Sequence, residues 1–362
     1  MSRIPLVDLA AAHAEVAEEV EVGFKRVIAA TAFVGGAEVA AFEEEYAAFS
    51  GLPHCVGVAN GTDALELAFR AVGVGAGSEV ILPANTFIAT AEAVARTGAR
   101  PVLVDCDPRT YLIDTEAALA AVTPATKAIA PVHLYGQMAD VERLRASGVA
   151  VVEDAAQSQG ATRNGRTAGT GGIAATSFYP GKNLGAYGDA GAVVTDNDGW
   201  ATTVRTLGSH GGLKKYQHDL IGVNSRLDGL QAVVLRAKLA RLADGNARRR
   251  AAAARYDDLL ASVDVVRPAT DEGNEHVWHI YCVRVPDGRR DEVLAKLNAA
   301  GIGAGIHYPI PVHKTGAFAH LGGVFPNAEA AAPEILSLPI YPQITPDQQA
   351  RVADELATAL KG

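Results

Sequence analysis

The feature that most constrains this chain is a succession of short, almost wholly apolar segments that alternate with helical patterns through its first 200 residues. The clearest helical pattern follows Thr62, where four apolar side chains recur at helical spacing before Gly73. The apolar segments lack polar–apolar alternation, which is typical of parallel strands buried on both faces. They are residues 79–82, 101–104, 128–132, 149–152 and 192–195. The pattern predicts an α/β fold with a mostly parallel sheet, and ligands at the carboxyl ends of its strands.

A different pattern begins after about residue 226. Residues 226–261 contain no proline and are typical of a long helix, which we expect to break or bend around Ala-Asp-Gly-Asn at residues 243–246. The segment after it mixes strand and helix patterns. The expected elements are a strand at residues 277–285, a helix at residues 291–300 and a final helix from Pro346.

Length and composition narrow the class of protein. A chain of 362 residues favours more than one domain, so we predict a large α/β domain over residues 1–244 and a smaller α+β domain over residues 245–362. The net charge of −9 argues against general nucleic-acid binding. No apolar run is long enough for a membrane span, the start lacks a signal-peptide pattern, and three scattered cysteines favour neither disulfides nor a metal site. We therefore expect a soluble cytoplasmic protein that binds no metal and no membrane.

Two segments could hold the phosphate and the ring of a cofactor. Gly61, Thr62 and Asp63 open a helix, whose free N–H groups and dipole suit a phosphate, and Gly61 lets the backbone come close. An ordinary helix cap after a turn is the alternative. Phe87 follows the end of a strand, where its ring could stack on a flat cofactor or pack in the core.

Two further segments carry a carboxylate and an amine. Asp154 ends a buried apolar segment, where it could keep a heteroaromatic nitrogen protonated or cap the next helix. Lys182 lies in a turn rich in glycine and proline between two apolar segments, where a lysine can form a Schiff base or extend into solvent. A phosphate anchor, an aromatic ring, a carboxylate and a lysine, in this order, together predict binding of pyridoxal phosphate (PLP).

The sequence resembles the nucleotide-sugar aminotransferases of the DegT/DnrJ/EryC1/StrS group, which have fold type I of the PLP enzymes. The resemblance covers nearly the whole chain, and its most specific segments are SFYPGKN at residues 177–183 and NSRLD at residues 224–228. The other segments that carry it are residues 5–8, 61–65, 83–87, 132–137, 153–158 and 306–311.

The resemblance implies a role for each matching residue. Lys182 looks like the lysine that binds PLP covalently, Asp154 like the partner of the ring nitrogen, and Gln157 like the residue beside the ring hydroxyl. The implied phosphate site comprises Gly61, Thr62, Ser177 and Asn224, with Phe87 in the stacking position and Asp63 beside the helix start. Because Asn224 matches an asparagine that reaches the phosphate from a second subunit, the resemblance implies a homodimer with shared sites.

The implied reaction moves an amino group from L-glutamate to PLP and then to a keto nucleotide sugar. The loop around residues 210–218 has cations and an aromatic ring that could bind a diphosphate and a nucleoside, or be an ordinary exposed loop. Its candidate residues, with two from the C-terminal part of the chain, are His210, Lys214, Lys215, Tyr216, His307 and Tyr308. Residues 135–140 and 215–218 look most like enzymes that aminate C3 of dTDP-3-keto-6-deoxyhexoses.

Several alternatives remain at this stage. The acceptor could be a 4-keto UDP- or dTDP-sugar or a keto-inositol. A PLP-dependent sugar dehydratase is disfavoured because relatives of that kind have histidine where this chain has Lys182. A PLP-bound regulatory sensor without turnover, or a plain α/β binding protein without PLP, would share much of the pattern.

Overall fold

A computed structural model describes residues 3–361. Its helices and strands alternate through the first 200 residues, as the sequence predicts. The helices are α1 (Leu9–Ala14), α2 (Ala17–Ala30), α3 (Ala37–Ser50), α4 (Gly61–Ala71), α5 (Ile88–Arg96), α6 (Thr115–Ala120), α7 (Val141–Arg145), α8 (Asp198–Gly208), α9 (Gly229–Leu259), α10 (Arg290–Ala299), α11 (Pro326–Ala331) and α12 (Pro346–Lys361). The strands are β1 (His54–Val58), β2 (Glu79–Pro83), β3 (Arg100–Val104), β4 (Thr126–Ile129), β5 (Ala150–Asp154), β6 (Thr162–Arg163), β7 (Ile173–Ser177), β8 (Gly191–Thr195), β9 (Asn274–Glu275), β10 (Tyr281–Arg284) and β11 (Ile335–Leu338).

The centre of the fold is a seven-stranded sheet in the order β1-β8-β7-β5-β4-β2-β3. All neighbouring pairs from β7 to β3 are parallel, whereas β8 is antiparallel to both β1 and β7. Helices cover both faces of the sheet, so successive residues of β8 enter different cores. Val193 packs with α4 and α8, and Val194 packs with α3 and α9. This double coverage explains why the strands are apolar except near their ends, and it confirms the predicted α/β class.

The predicted break in the long helix is wrong, because α9 runs without interruption for 31 residues. Asn246 is buried inside the helix, where its side-chain amide donates to the carbonyl of Gln159 at 2.9 Å. The next turn carries Arg249, which is also buried and donates to the carbonyls of Trp278 and Ile340. Tertiary hydrogen bonds therefore stabilise a segment whose local sequence favours a break.

A second core forms around the small sheet of β10 and β11. The end of α9 contributes Ala252 and Tyr256 to it, and α10 and α12 pack into the same core. The strand expected at residues 277–285 is restricted to Tyr281–Arg284, because Trp278 has a left-handed backbone (φ 48°) and its ring stacks on His276. Within residues 3–361, no helix combines the length and apolar character needed to cross a membrane.

Candidate active site

A cavity of about 620 Å³ lies at the carboxyl ends of β2, β5 and β7 and extends to the second core. This is the edge of the sheet where the fold predicts a ligand. Nine of the residues singled out from the sequence line the cavity: Gly61, Thr62, Phe87, Asp154, Gln157, Ser177, Lys182, His307 and Tyr308.

The start of α4 forms a cradle for an anion. Asn60 caps the helix, since its side-chain oxygen accepts from the N–H of Asp63 at 2.8 Å. The N–H groups of Gly61 and Thr62 have no acceptor among residues 3–361 and lie at the cavity wall. A side chain at Gly61 would not fit, because its Cβ would come 2.5 Å from the Cβ of Ser177. Glycine therefore lets the helix end approach Ser177 closely enough to share one anion.

Asp154 is the buried carboxylate of the cavity. It ends β5, and one of its oxygens accepts from the hydroxyl of Thr90 at 2.7 Å while the other accepts from the N–H of Ala156 at 3.1 Å. The hydroxyl of Thr86 lies 2.8 Å from that of Thr90, so Thr86, Thr90 and Asp154 form a continuous series of hydrogen bonds. These contacts hold the carboxylate in one orientation facing the cavity.

Lys182 lies in the turn that follows β7. Its backbone N–H donates to the carbonyl of Tyr179 at 2.9 Å, which directs the side chain to the cavity wall. Burial lowers the pKa of the Lys182 amine to about 8, although the Asp154 carboxylate acts in the opposite direction. An amine with such a pKa can gain and lose a proton near neutral pH, as general acid–base catalysis requires.

Aromatic and amide side chains form the rest of the wall. Gln157 accepts from the N–H of Tyr135 at 2.6 Å and donates to the hydroxyl of Tyr308 at 2.9 Å. The ring of Phe87 lies 5.1 Å from that of Tyr308 and is half exposed, so one face is free to stack on a ligand. The ring of His307 lies 2.8 Å from the hydroxyl of Ser337, and burial lowers the pKa of His307 to about 4.

Six candidates lie outside the cavity of the single chain. The carboxylate of Asp63 pairs with Arg96 at 3.3 Å, so only its backbone takes part in the helix start. Asn224 accepts from the side chain of Arg226 at 3.2 Å. The loop after α8 extends into solvent, where Tyr216 is 83% exposed. It carries the remaining four candidates, His210, Lys214, Lys215 and Tyr216.

Sequence reasoning missed several residues of the site. Thr86 and Thr90 are one helical turn apart, but nothing in their local sequence indicates that they meet Asp154. Tyr135 and His279 also reach the site, although neither was singled out from the sequence as a site residue. Their signal is tertiary, because the contacts that bring them to the site join residues far apart in the chain, such as Thr90 and Asp154, 64 positions apart.

The residues that line the cavity fit PLP. The free N–H groups of Gly61 and Thr62 would bind its phosphate, Asp154 its ring nitrogen and Lys182 its aldehyde. The exposed face of Phe87 would lie against its ring.

Comparison with known proteins agrees with this geometry. The family model described as the DegT/DnrJ/EryC1/StrS aminotransferase family matches residues 15–357. The chain is 45% identical to a dTDP-3-amino-3,4,6-trideoxy-α-D-glucose transaminase of Streptomyces venezuelae, over 97% of this chain and 95% of that protein. It is also 45% identical to a UDP-N-acetyl-3-dehydro-α-D-glucosamine 3-aminotransferase of Acidithiobacillus ferrooxidans, over 99% and 98% of the two chains.

A solved structure agrees over the whole length. The crystal structure of S. venezuelae DesV in complex with a ketimine intermediate superposes with a TM-score of 0.97 at 43% identity and covers all of both chains. The chain therefore belongs to the DegT/DnrJ/EryC1/StrS aminotransferase family and is a PLP-dependent aminotransferase.

Proposed function

We propose that this protein transfers the amino group of L-glutamate to C3 of a dTDP-linked 3-keto-6-deoxyhexose, in the biosynthesis of a deoxyamino sugar. The observation that carries the proposal is one cavity of about 620 Å³ that joins Lys182, Asp154 and the free end of α4. Such a volume is ordinary for a ligand of several rings. Both relatives described above act, by their names, at position 3 of a nucleotide sugar, and they differ in the nucleotide.

Each residue of the cavity has a task in this reaction. Bound PLP supplies an electron sink for the substrate α-carbon. Asp154 keeps the ring nitrogen protonated, and Thr90 keeps Asp154 in place. Lys182 accepts a proton from the amino donor and returns one to the acceptor, which its lowered pKa permits. Gln157 and Tyr308 are linked by a hydrogen bond, and together they would orient the cofactor ring.

We also propose a cytoplasmic homodimer in which each active site takes residues from both subunits. Asn224 and the loop with His210, Lys214, Lys215 and Tyr216 lie outside the cavity of their own chain, and Tyr216 and Ile221 are almost fully exposed. In the dimer, Asn224 would reach the partner's phosphate site. The two lysines and Tyr216 would bind the diphosphate and the nucleoside of the acceptor.

The first experiment is an absorption spectrum of the PLP-loaded protein before and after L-glutamate. Replacement of the visible band by the near-ultraviolet band of pyridoxamine phosphate supports the donor half-reaction. A band that does not change contradicts glutamate as donor and favours a sensor without turnover. The aminated form is then mixed with 3-keto and 4-keto nucleotide sugars and a keto-inositol, and return of the visible band with a compound other than the 3-keto sugar contradicts the proposed acceptor.

The variant Lys215→Met tests the acceptor site separately. It should raise the KM for the nucleotide sugar and leave the rate of the glutamate half-reaction unchanged, because a loop cation contacts only the acceptor. Equal losses in both half-reactions would refute a role restricted to the acceptor.

A further inference from the structure

The residue after the catalytic lysine is held by three hydrogen bonds. The side-chain nitrogen of Asn183 donates to the backbone carbonyl of Val277 at 2.9 Å and to the side-chain oxygen of Asn246 at 3.0 Å. Asn246 is oriented in turn, because its own nitrogen donates to the carbonyl of Gln159 at 2.9 Å. Backbone carbonyls only accept, so both amides have one orientation. The oxygen of Asn183 then remains for the third contact.

That third contact determines the tautomer of His279. The Nδ1 atom of His279 lies 3.2 Å from the side-chain oxygen of Asn183. Since this oxygen is an acceptor, Nδ1 carries the hydrogen and donates it. A neutral imidazole with its hydrogen on Nδ1 keeps a lone pair on Nε2. Nε2 has no hydrogen-bond partner among residues 3–361. It is nevertheless not among the fully buried side-chain atoms that lack a partner, so part of its surface is open to the cavity.

The surroundings keep this imidazole neutral. Burial and the positive charges of Lys182 and Arg249 hold the pKa of His279 well below its usual range, and His307 and His276 act in the same direction. Lys182 is the largest charge acting on the ring, and both residues line the same cavity. His279 therefore lines the cavity of Lys182 as a neutral ring with an unused acceptor atom rather than as a second cation.

We propose that His279 is a positioning residue for Lys182: its Nε2 lone pair accepts a hydrogen bond from the ε-amine whenever the amine is released from the cofactor. One N–H of the amine is then engaged, which directs the nitrogen lone pair towards the substrate carbon whose proton it moves. The hydrogen bonds from His279 to Asn183 and from Asn183 to Asn246 connect this ring to α9. The inference rests on the proposed transamination.

Nuclear magnetic resonance tests the tautomer without turnover. Protein with ¹⁵N-labelled histidine is loaded with pyridoxamine phosphate, the form in which Lys182 is free, and His279 is assigned from its loss in His279→Asn. The expected result is the Nδ1–H tautomer from about pH 6 to about pH 9. An Nε2–H tautomer, or an imidazolium that titrates near the ordinary histidine pKa of about 6.5, would overturn the proposal.

Two substitutions separate the acceptor from the structural bond. In His279→Asn the amide nitrogen can replace Nδ1 and still donate to Asn183, but the acceptor is lost. In His279→Gln the amide oxygen can reach the position of Nε2, whereas the bond to Asn183 is lost. The half-reaction with L-glutamate should slow roughly 10²-fold in His279→Asn, the low end for a general acid–base group, and should be largely retained in His279→Gln.

The pH profile adds a readout that a purely structural role would not change. An acceptor stabilises the ammonium form of Lys182, as Asp154 does, so its loss lowers the pKa of Lys182 further below about 8. The acid limb of the pH–rate profile of the half-reaction should therefore move to lower pH in His279→Asn and stay in place in His279→Gln. The reverse order of rates, or equal profiles in both variants, would contradict the proposal.

His276 provides the matched control. It is a buried histidine three residues earlier, it stacks on Trp278, its Nδ1 accepts from the Trp278 N–H at 2.9 Å, and it does not line the cavity. His276→Asn keeps an acceptor for that N–H and should react at the wild-type rate. If the wild type does not react with L-glutamate, the assignment of glutamate as donor is refuted. The proposal for His279 is still tested, because the nuclear magnetic resonance experiment determines its tautomer without turnover.

Discussion

Asp154→Asn tests the electrostatic centre of the proposed mechanism. The substitution preserves shape: the new oxygen can accept from the Ala156 N–H, and the Thr90 hydroxyl can turn to accept from the amide and donate to Thr86. What is lost is a buried negative charge opposite a protonated ring nitrogen. Breaking a buried ion pair costs about 3–5 kcal/mol, which at about 1.4 kcal/mol per tenfold slows the half-reaction roughly 150- to 4,000-fold.

The assay is a single-turnover reaction of the PLP-loaded variant with L-glutamate, followed by loss of the visible band. Glu153→Gln is the matched control, because Glu153 is the preceding buried carboxylate and its side chain points to the opposite face of the sheet, towards His133 and Arg145. It should lower stability and leave the rate of the folded protein unchanged. A rate within threefold of wild type for Asp154→Asn would refute the reasoning.

Three further predictions follow from the same cavity and its surroundings. Lys182→Ala should abolish turnover, and any full activity would disprove the assignment. Gly61→Ala should weaken PLP binding at least tenfold by equilibrium dialysis, because its Cβ would meet Ser177, whereas Gly75→Ala, with open space around it, should bind PLP normally. Burial lowers the pKa of Lys238 to about 8, so above that pH this lysine binds more protons in the unfolded chain than in the folded one. The free energy of unfolding of the cofactor-free wild type, measured relative to Lys238→Met in urea titrations, should therefore rise between about pH 8 and about pH 10.

The strands and the cofactor residues could be predicted from the sequence because their signals are local. Apolar segments bounded by turns predict β2 and β5, and a carboxylate at the end of a strand indicates Asp154 as a site residue. The long-range contacts could not be predicted from the sequence. The sequence at residues 243–246 favours a break, but the burial of Asn246 against Gln159 outweighs that preference.

The same distinction applies within the site. Lys182 is recognisable from its own turn, whereas His279 gains its significance only from Asn183, 96 positions earlier in the chain. The loop around Tyr216 matches its motif, but in the single chain the Tyr216 ring is 83% exposed. Its assignment to the acceptor stays a prediction.

The uninterrupted helix α9 has a mechanical consequence. Its 31 residues span about 46 Å, with Leu235 and Leu239 anchored in the core beneath the large sheet and Ala252 and Tyr256 anchored in the core around β10 and β11. Melting either core would release half of this helix and expose the buried Asn246 and Arg249 at its middle. We therefore expect the two cores to unfold as one cooperative unit, in which backbone amides at the centre of α9 exchange with solvent only when the whole molecule unfolds.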